Sequence, residues 1–339
     1  MSQGMNRDQC LEIVEISKNQ FYYSQKGTKP GRRPSTVTKW RDPKTLAVKE
    51  IKNEEVILKA VEIKLDPDHA KWYRLITATL NIRGYYINHK KLFRLMKEYL
   101  LLEDRIRPKG KEYVKYRRIA PTQPLQIIEM DIKYIWIYEE NKYAFVLTII
   151  DTFTRYVLNW QVGYTMKSEQ VKQAWEYIFA HYLQSNRLQL KDIEVEVRND
   201  NGKQFEAHLI RSFFEENNVQ HKFTRPYTPE ENGHVESFHS IMTYALEKDK
   251  FSSLKQLEMR LTKFYTTYNN DRSHSGTKGI PPAKFWALYD LNKLEVIHMK
   301  EEKKIVNIKL KIPYQDILTV PGILKHQYRA IRSRGRPSL

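Results

Sequence analysis

Three acidic residues stand where an acid needs a reason. Asp131 lies in IIEMDIKYIWIY, between Met130 and Ile132, in a run dominated by isoleucine and aromatic residues. A strand of that composition buries alternate positions, so an aspartate within it must be paired, ligated or turned toward a cleft. Asp200 ends a second β-rich run, IEVEVRND, where Asn201 and Gly202 supply turn chemistry. Its carboxylate is expected at the mouth of a sheet. Glu236 falls in a helical pattern that starts near Glu230, with Val235, Phe238, Met242 and Ala245 as the apolar stripe. Glu236 shares the neighbouring face with Asn232, His239 and Thr243, and 35 residues separate it from Asp200. Any one of these acids alone reads as a cap or a surface charge. Together, on two strands and a helix, they can cradle two hard cations. In-line displacement at a phosphodiester needs its attacking and leaving oxygens both stabilised, which two Mg²⁺ ions about 3.5–4 Å apart achieve. Without metal the three would repel, and at least one would tend to keep its proton.

The elements that must position these acids are legible as patterns. IIEMDIKYIWIY, KYAFVLTIID and RYVLNWQVGY are successive β-rich runs with short polar breaks. MKSEQVKQAWEYIFAHYL is an amphipathic helix, IEVEVRND a strand, KQFEAHLIRSFFEEN a helix and VQHKFT a short strand. ENGHVESFHSIMTYALEK and LKQLEMRLTKFYTTYNN complete the region as helices. A three-strand meander followed by alternating helix and strand is an α/β order, that of the RNase H-like fold. A further acid, Asp151 in IIDTFTR, reads as a structural turn residue because Thr152 and Thr154 are typical turn partners.

Upstream, apolar residues recur at helical spacing: Val56, Ile57, Ala60 and Val61, then Trp72, Tyr73, Ile76 and Leu80. Asn88 reads as the N-cap of a third helix with an apolar stripe of Leu92, Leu95, Met96, Tyr99 and Leu100. Lys90, Lys91, Arg94 and Lys97 occupy its other side, and Gly84 sits in the turn before it. Two short helices joined through a glycine turn, the second basic, suggest a DNA-binding helix-turn-helix. The alternative is a small bundle with a solvated basic face.

The chain has 339 residues, 41% hydrophobic and 29% charged, enough for two or three packed domains. Its 58 lysines and arginines against 40 acids give a net charge of +18, which favours a polyanionic partner through counterion release. The single cysteine, Cys10, forms no internal disulfide and excludes a zinc site built on several cysteines. No apolar run is long enough to cross a bilayer, and MSQGMNRDQC lacks a signal-peptide stretch. PGRRPS and RGRPSL, near either end, are candidate extended segments for a narrow minor groove, with Arg334 and Arg336 reaching in. KKIVNIKLKIPY alternates apolar residues and lysine and suggests a small β element.

On IIEMDIKYI, IIDTFTRYVLNW, RNDNGKQF and RPYTPEENGHVESFH the chain resembles the catalytic core of the DDE retroviral-integrase superfamily. More narrowly it resembles the second-reading-frame (OrfB) transposases of IS-three-type bacterial insertion sequences. YNNDRSHSGTKGIPPAKF corresponds to that family's closing Tyr-Asn…Arg-x-His…Pro signature, with Ser273 and Thr277 where the family has proline and leucine. RGYYINHKKLFRLMKE is similar to its helix-turn-helix. The resemblance covers about residues 50–290. It implies that Asp131, Asp200 and Glu236 are the catalytic triad and ligate two Mg²⁺ or Mn²⁺ ions. It also implies that Asn232 and Gly233 shape the approach to the glutamate and contact DNA. His234, His239 and His274 are expected to be hydrogen-bonded or DNA-facing rather than metal ligands.

The expected architecture is a helix and basic linker over 1–45 and an all-helical helix-turn-helix DNA-binding region over 46–105. A basic linker over 106–124, an RNase H-like integrase catalytic core over 125–290 and a small basic C-terminal region over 291–339 follow. The expected activity is cleavage of insertion-element ends and joining of the freed 3′-hydroxyl to DNA. Expected partners are double-stranded DNA (terminal inverted repeats and target), further copies of the chain on paired ends, and an upstream OrfA-type product. The expected setting is the bacterial cytoplasm at the nucleoid, with no membrane. An inactivated DNA-binding regulator and a nuclease that cuts without joining are the alternatives.

Overall fold

The computed structural model describes residues 6–21, 34–103, 119–183, 194–225, 232–300 and 305–320. The chain divides into two compact units, Met1–Val37 and Thr38–Leu339. In the first, α1 (Arg7–Ile13) starts at Asn6, whose side chain accepts from the Asp8 N–H, and α2 (Lys18–Phe21) follows. The Arg334 and Arg336 expectation and most of the linker over 106–124 lie outside the described residues.

Strands β1 (Val37–Arg41) and β2 (Val48–Lys52) precede α3 (Asn53–Leu65) and α4 (Tyr73–Ile82). A two-residue β3 (Tyr85–Tyr86) then leads into α5 (His89–Glu98). The helices fall where apolar periodicity put them, and Asn88 caps α5 by accepting from the Lys91 N–H. The expectation of an all-helical region is corrected by a three-stranded sheet in the order β2-β1-β3. Asp42 makes its hairpin: its Oδ1 accepts from the N–H groups of Lys44 and Thr45, an Asx turn that reverses the chain. Gly84, at φ +94°, lets β3 close on β1, since a Cβ there would lie 2.3 Å from the Arg41 carbonyl oxygen. Tyr99 and Leu100, expected in the apolar stripe of α5, lie beyond its end and are exposed.

The main sheet has the order β6-β5-β4-β7-β8. Strands β4 (Ile127–Ile137), β5 (Lys142–Asp151) and β6 (Val157–Gly163) form the antiparallel meander. After α6 (Ser168–Ile178), β7 (Glu196–Asn199) joins β4 in parallel. Helices α7 (Lys203–Glu206) and α8 (His208–Glu216) then lead to β8 (Gln220–Phe223), parallel to β7. The single helix expected over that stretch is interrupted at Ala207, whose ψ of 139° is not helical. Helices α9 (Gly233–Leu246), α10 (Leu254–Asn270) and α11 (Pro282–Asp290) follow.

Strand alternation splits the core into two layers. Ile128, Met130 and Ile132 of β4 pack with Trp175 of α6 and Phe214 of α8. Val146 and Ile150 of β5 pack on the other face with Val235, Phe238 and Met242 of α9 and Phe264 of α10. This is the RNase H-like arrangement that the pattern predicted.

The described residues of the expected basic C-terminal region, up to Val320, are folded. Strands β9 (Leu294–Lys300) and β10 (Ile305–Leu310) form a hairpin. Leu294 and Ile317 share a buried cluster with Ile82, Phe153, Phe285 and Leu288, so this segment joins α4 to the core.

A second bond between these regions is ionic. Arg260 of α10 grips Asp68 with two nitrogens at 2.7 and 3.1 Å, and its Nε meets Asp249 at 2.8 Å. Arg272 donates to the Asp68 carbonyl at 2.8 Å. Ser273 fills the family's proline position and exchanges a 2.8 Å hydrogen bond with Thr79 of α4. Thr277, at the leucine position, donates to the carbonyls of Ile280 and His274. Gly279, at φ +80°, allows the close approach, since a Cβ there would sit 2.5 Å from that of Ala78. Thus the closing signature docks the core on the helical region. Asp68 is wholly buried, so Arg260→Leu leaves an uncompensated charge and is expected to cost about 3–5 kcal/mol. Urea unfolding of the two proteins measures this, and a loss below about 1 kcal/mol would show the pair to be of no consequence.

Candidate active site

β4 presents Glu129 and Asp131, two residues apart, on the sheet face covered by α9. Glu129 is wholly buried. Its Oε2 accepts from the backbone N–H groups of His234 and Val235, each at 2.9 Å, and its Oε1 meets His234 Nδ1 at 2.8 Å. Two orphan donors of the first turn of α9 are thereby satisfied. Burial pushes this carboxyl up to about 7, against the pull of the Val235 N–H. Asp131 Oδ2 lies 3.2 Å from His239 Nδ1, and its Oδ1 accepts from the Ile132 N–H at 2.7 Å. From His234 to His239 a helix advances about 7.5 Å. From position 129 to 131 a strand advances about 6.6 Å. Helix and strand therefore run in step, and each acid of β4 finds its own histidine.

Asp200 is the residue just beyond β7, the strand whose parallel register with β4 ends at Glu129 and Arg198, and it lies within electrostatic reach of Asp131. Burial raises the Asp200 carboxyl, the negative charge of Asp131 raises it further, and the Gly202 N–H bonded at 3.2 Å opposes both. The peptide after it is held by Asn199, which is buried, donates to the Asp200 carbonyl at 2.6 Å and meets His221 Nε2 at 2.6 Å.

Glu236 is exposed in the first turn of α9, three residues ahead of His239. Asp131 is thus in contact with His239 and acts on Asp200 through space, while Glu236 stands on α9 three residues before His239. Among the described residues no three acid, histidine or cysteine side chains stand close enough to hold a metal ion as placed.

The other candidates are distributed differently. Lys90 and Lys97 are exposed on α5, Lys91 is partly buried, and Arg94 is paired with Glu98 at 3.1 Å. Asn232 is buried and Gly233 has open space around it. Asp151 is buried, accepting from Leu125 N–H and from the N–H and hydroxyl of Thr154, which matches its reading as a turn residue. His274 is buried in the core, and burial pushes its imidazole down to about 3. Glu129 escaped the sequence reading. Its signal was present, as a second acid on the same strand face as Asp131.

Residues 121–229 match the integrase core domain family, and residues 217–282 match a second family also described as integrase core domain. An uncharacterised 39.2 kDa protein of insertion element IS476 from Xanthomonas euvesicatoria is 27% identical over 238 residues, 68% of this chain and 65% of that protein. The chain thus spans just under two thirds of that relative. The putative transposase InsK of IS150 from Escherichia coli K12 is 24% identical over 292 residues, 82% of this chain and 92% of InsK. The Mos1 transposase catalytic domain, solved with raltegravir and Mg, aligns at 16% identity and TM-score 0.38 over 50% of this chain and 78% of that one. Residues 121–282 form an integrase core domain of the DDE polynucleotidyl transferase type. The insertion-element proteins named above are similar to this chain at 24–27% identity.

Two variants test how the site is held. Glu129→Ala strips the acceptor from two buried N–H groups and His234. It is expected to cost about 2–4 kcal/mol in urea unfolding, at the full desolvation penalty of the orphaned donors. A variant as stable as the parent would disprove the clamp. His221 is pushed down to about 4 from 6.5 by burial, with the Arg211 charge acting the same way. The unfolded chain therefore takes up this proton first. Its contribution is complete above pH 6.5 and is lost as the pH falls toward 4. His221→Gln keeps a donor for Asn199 without titrating, so its urea midpoint should fall less between pH 7 and pH 5. Equal slopes would count against a neutral, buried His221.

Proposed function

We propose that the chain cuts the ends of an insertion element and joins the freed 3′-hydroxyl to DNA, with Asp131, Asp200 and Glu236 as catalytic residues and metal ligands. The observation that carries this reading is Asp200, just past β7, within electrostatic reach of Asp131 on β4, its carboxyl raised by burial and further by that charge, with Glu236 on the helix that covers this face of β4. Adjacent carboxylates that repel each other present only oxygen donors, which suits a hard divalent cation. Two Mg²⁺ or Mn²⁺ ions held there would stabilise the attacking and leaving oxygens of an in-line displacement at phosphorus.

The protein's own groups prepare that site. His239 fixes one oxygen of Asp131, and the Asn199–His221 bond fixes the peptide that carries Asp200. Glu129 anchors the first turn of α9 and with it Glu236. Lys90, Lys91, Arg94 and Lys97 on α5 face element-end DNA, with Arg94 released from Glu98 on binding. Asn232 and Gly233 border the strand at the start of α9. The partners are paired terminal repeats, target DNA, further copies of the chain and an OrfA-type product. The setting is the bacterial nucleoid. Among the described residues no helix is long and apolar enough to cross a membrane.

Labelled element ends incubated with Mg²⁺ test this. The parent is expected to yield cleaved and joined products, and Glu236→Gln neither, while both bind the ends equally in EDTA. Losing one catalytic carboxylate should lower the rate at least about a thousandfold, the scale of a lost electrostatic stabiliser. Cleavage without joining would point to a nuclease instead. Unaltered activity in Glu236→Gln would remove that residue from the site.

A further inference from the structure

Beside α9, on the face next to the one bearing Glu236, lies a cavity of about 510 Å³ lined by Thr152, Arg155, His234, Ser237, His274 and Ser275 among others. Arg155 is the unusual member. It sits in the β5–β6 turn at φ +64°, and its Nη1 is sealed from solvent with no hydrogen-bond partner. Among the described residues it forms no ion pair. The two acids that act on it through space, Glu129 and Asp151, are already committed. Glu129 serves His234 and Val235, and Asp151 serves Leu125 and Thr154. The Nε2 of His274, in the same cavity, also lacks a partner. The guanidinium packs against Gly276, where a Cβ would come within 3.0 Å of its Nε.

A guanidinium nitrogen sealed from water without a hydrogen-bond acceptor is costly, and the planar fork fits phosphate oxygens. We infer that this cavity is a phosphate-binding site, with Arg155 as the anion anchor, Ser237 and Ser275 as hydroxyl donors, and a backbone phosphate of DNA as ligand. Position supports DNA as the source. Ser237 directly follows Glu236, so a strand lying at the carboxylates runs past the cavity mouth on the adjoining face of the same helix. The net charge of +18 favours the same polyanion. Only the DNA assignment rests on the proposed function. An anion site as such does not.

The experiment uses the full chain with two probes. The first is inorganic phosphate, titrated while Tm is followed. The second is element-end DNA in which single phosphates are replaced by uncharged methylphosphonates, with binding measured in EDTA. In the parent, phosphate should raise Tm, and one methylphosphonate position should weaken binding about tenfold, the usual worth of a charge-assisted hydrogen bond. Arg155→Gln should lose both the rise and the penalty at that position while keeping the effects of the others. Gly276→Ala, which presses on the guanidinium, should reproduce this in weaker form and serves if Arg155→Gln does not fold. A flat Tm in the parent, or an unchanged methylphosphonate profile together with an unchanged phosphate response in the variants, overturns the site. A phosphate response lost in Arg155→Gln without coupling to any DNA position overturns DNA as the ligand in favour of a free anion. Because the phosphate titration needs no cleavage, it can succeed where the transposase reading fails.

Discussion

Strand β4 places two acids on one face, and the first two turns of α9 answer both. That pairing governs the rest of the site. Glu129 can be wholly buried because the positive end of a 14-residue helix points two N–H groups at it, with His234 adding a third contact. Asp131 remains partly open, with His239 on one oxygen. Glu236 lies between these two histidines in sequence, so the helix that satisfies the strand's acids also delivers the third carboxylate. A slip of one residue in β4 would turn Asp131 to the opposite face and bring a core residue to α9.

The opposing tendency is electrostatic. Asp200 follows β7, which pairs with β4, and its carboxyl is raised by burial and further by the charge of Asp131. Elsewhere the molecule gives its buried acids partners. Asp68 has Arg260, and Asp151 is wrapped by three donors. Glu196 holds both Arg198 and Lys222. A carboxylate pair left in conflict, in a chain that settles its other buried acids, is the feature on which the proposed cation site rests.

What could be read in advance follows from the range of each interaction. The meander, the helices and the Asn88 cap rest on periodicity and on neighbours within one turn, which a sequence displays directly. The spacing from Asp200 to Glu236 was equally visible. The role of Glu129 was not, because its partners lie 105 and 106 residues away: a second acid on the strand face of Asp131 was in view, but not what it would bind. The β1–β2 hairpin was hidden for another reason: the Gly/Pro/Arg stretch before it reads as linker and masks the short β-branched runs that follow. The docking roles of Ser273 and Thr277 needed the tertiary partner Thr79 and the local turn geometry to be seen.

Docking also changes what the closing signature means in this chain. Arg272 and Ser273 point away from the carboxylates and grip the helical region, with Arg260 making the buried ion pair. A hydrophobic contact would hold two regions together while tolerating small slips. A bidentate guanidinium–carboxylate pair is satisfied in one geometry only. A binding module on a loose tether would leave the distance between recognised and cut DNA to the tether. With α4 clamped at Asp68, Thr79 and Ala78, and packed again through Ile82, α5 is held at a fixed place relative to the carboxylates. If α5 reads the element end as proposed, that clamp sets which phosphodiester reaches the site, and the choice of cleavage position becomes a property of packing.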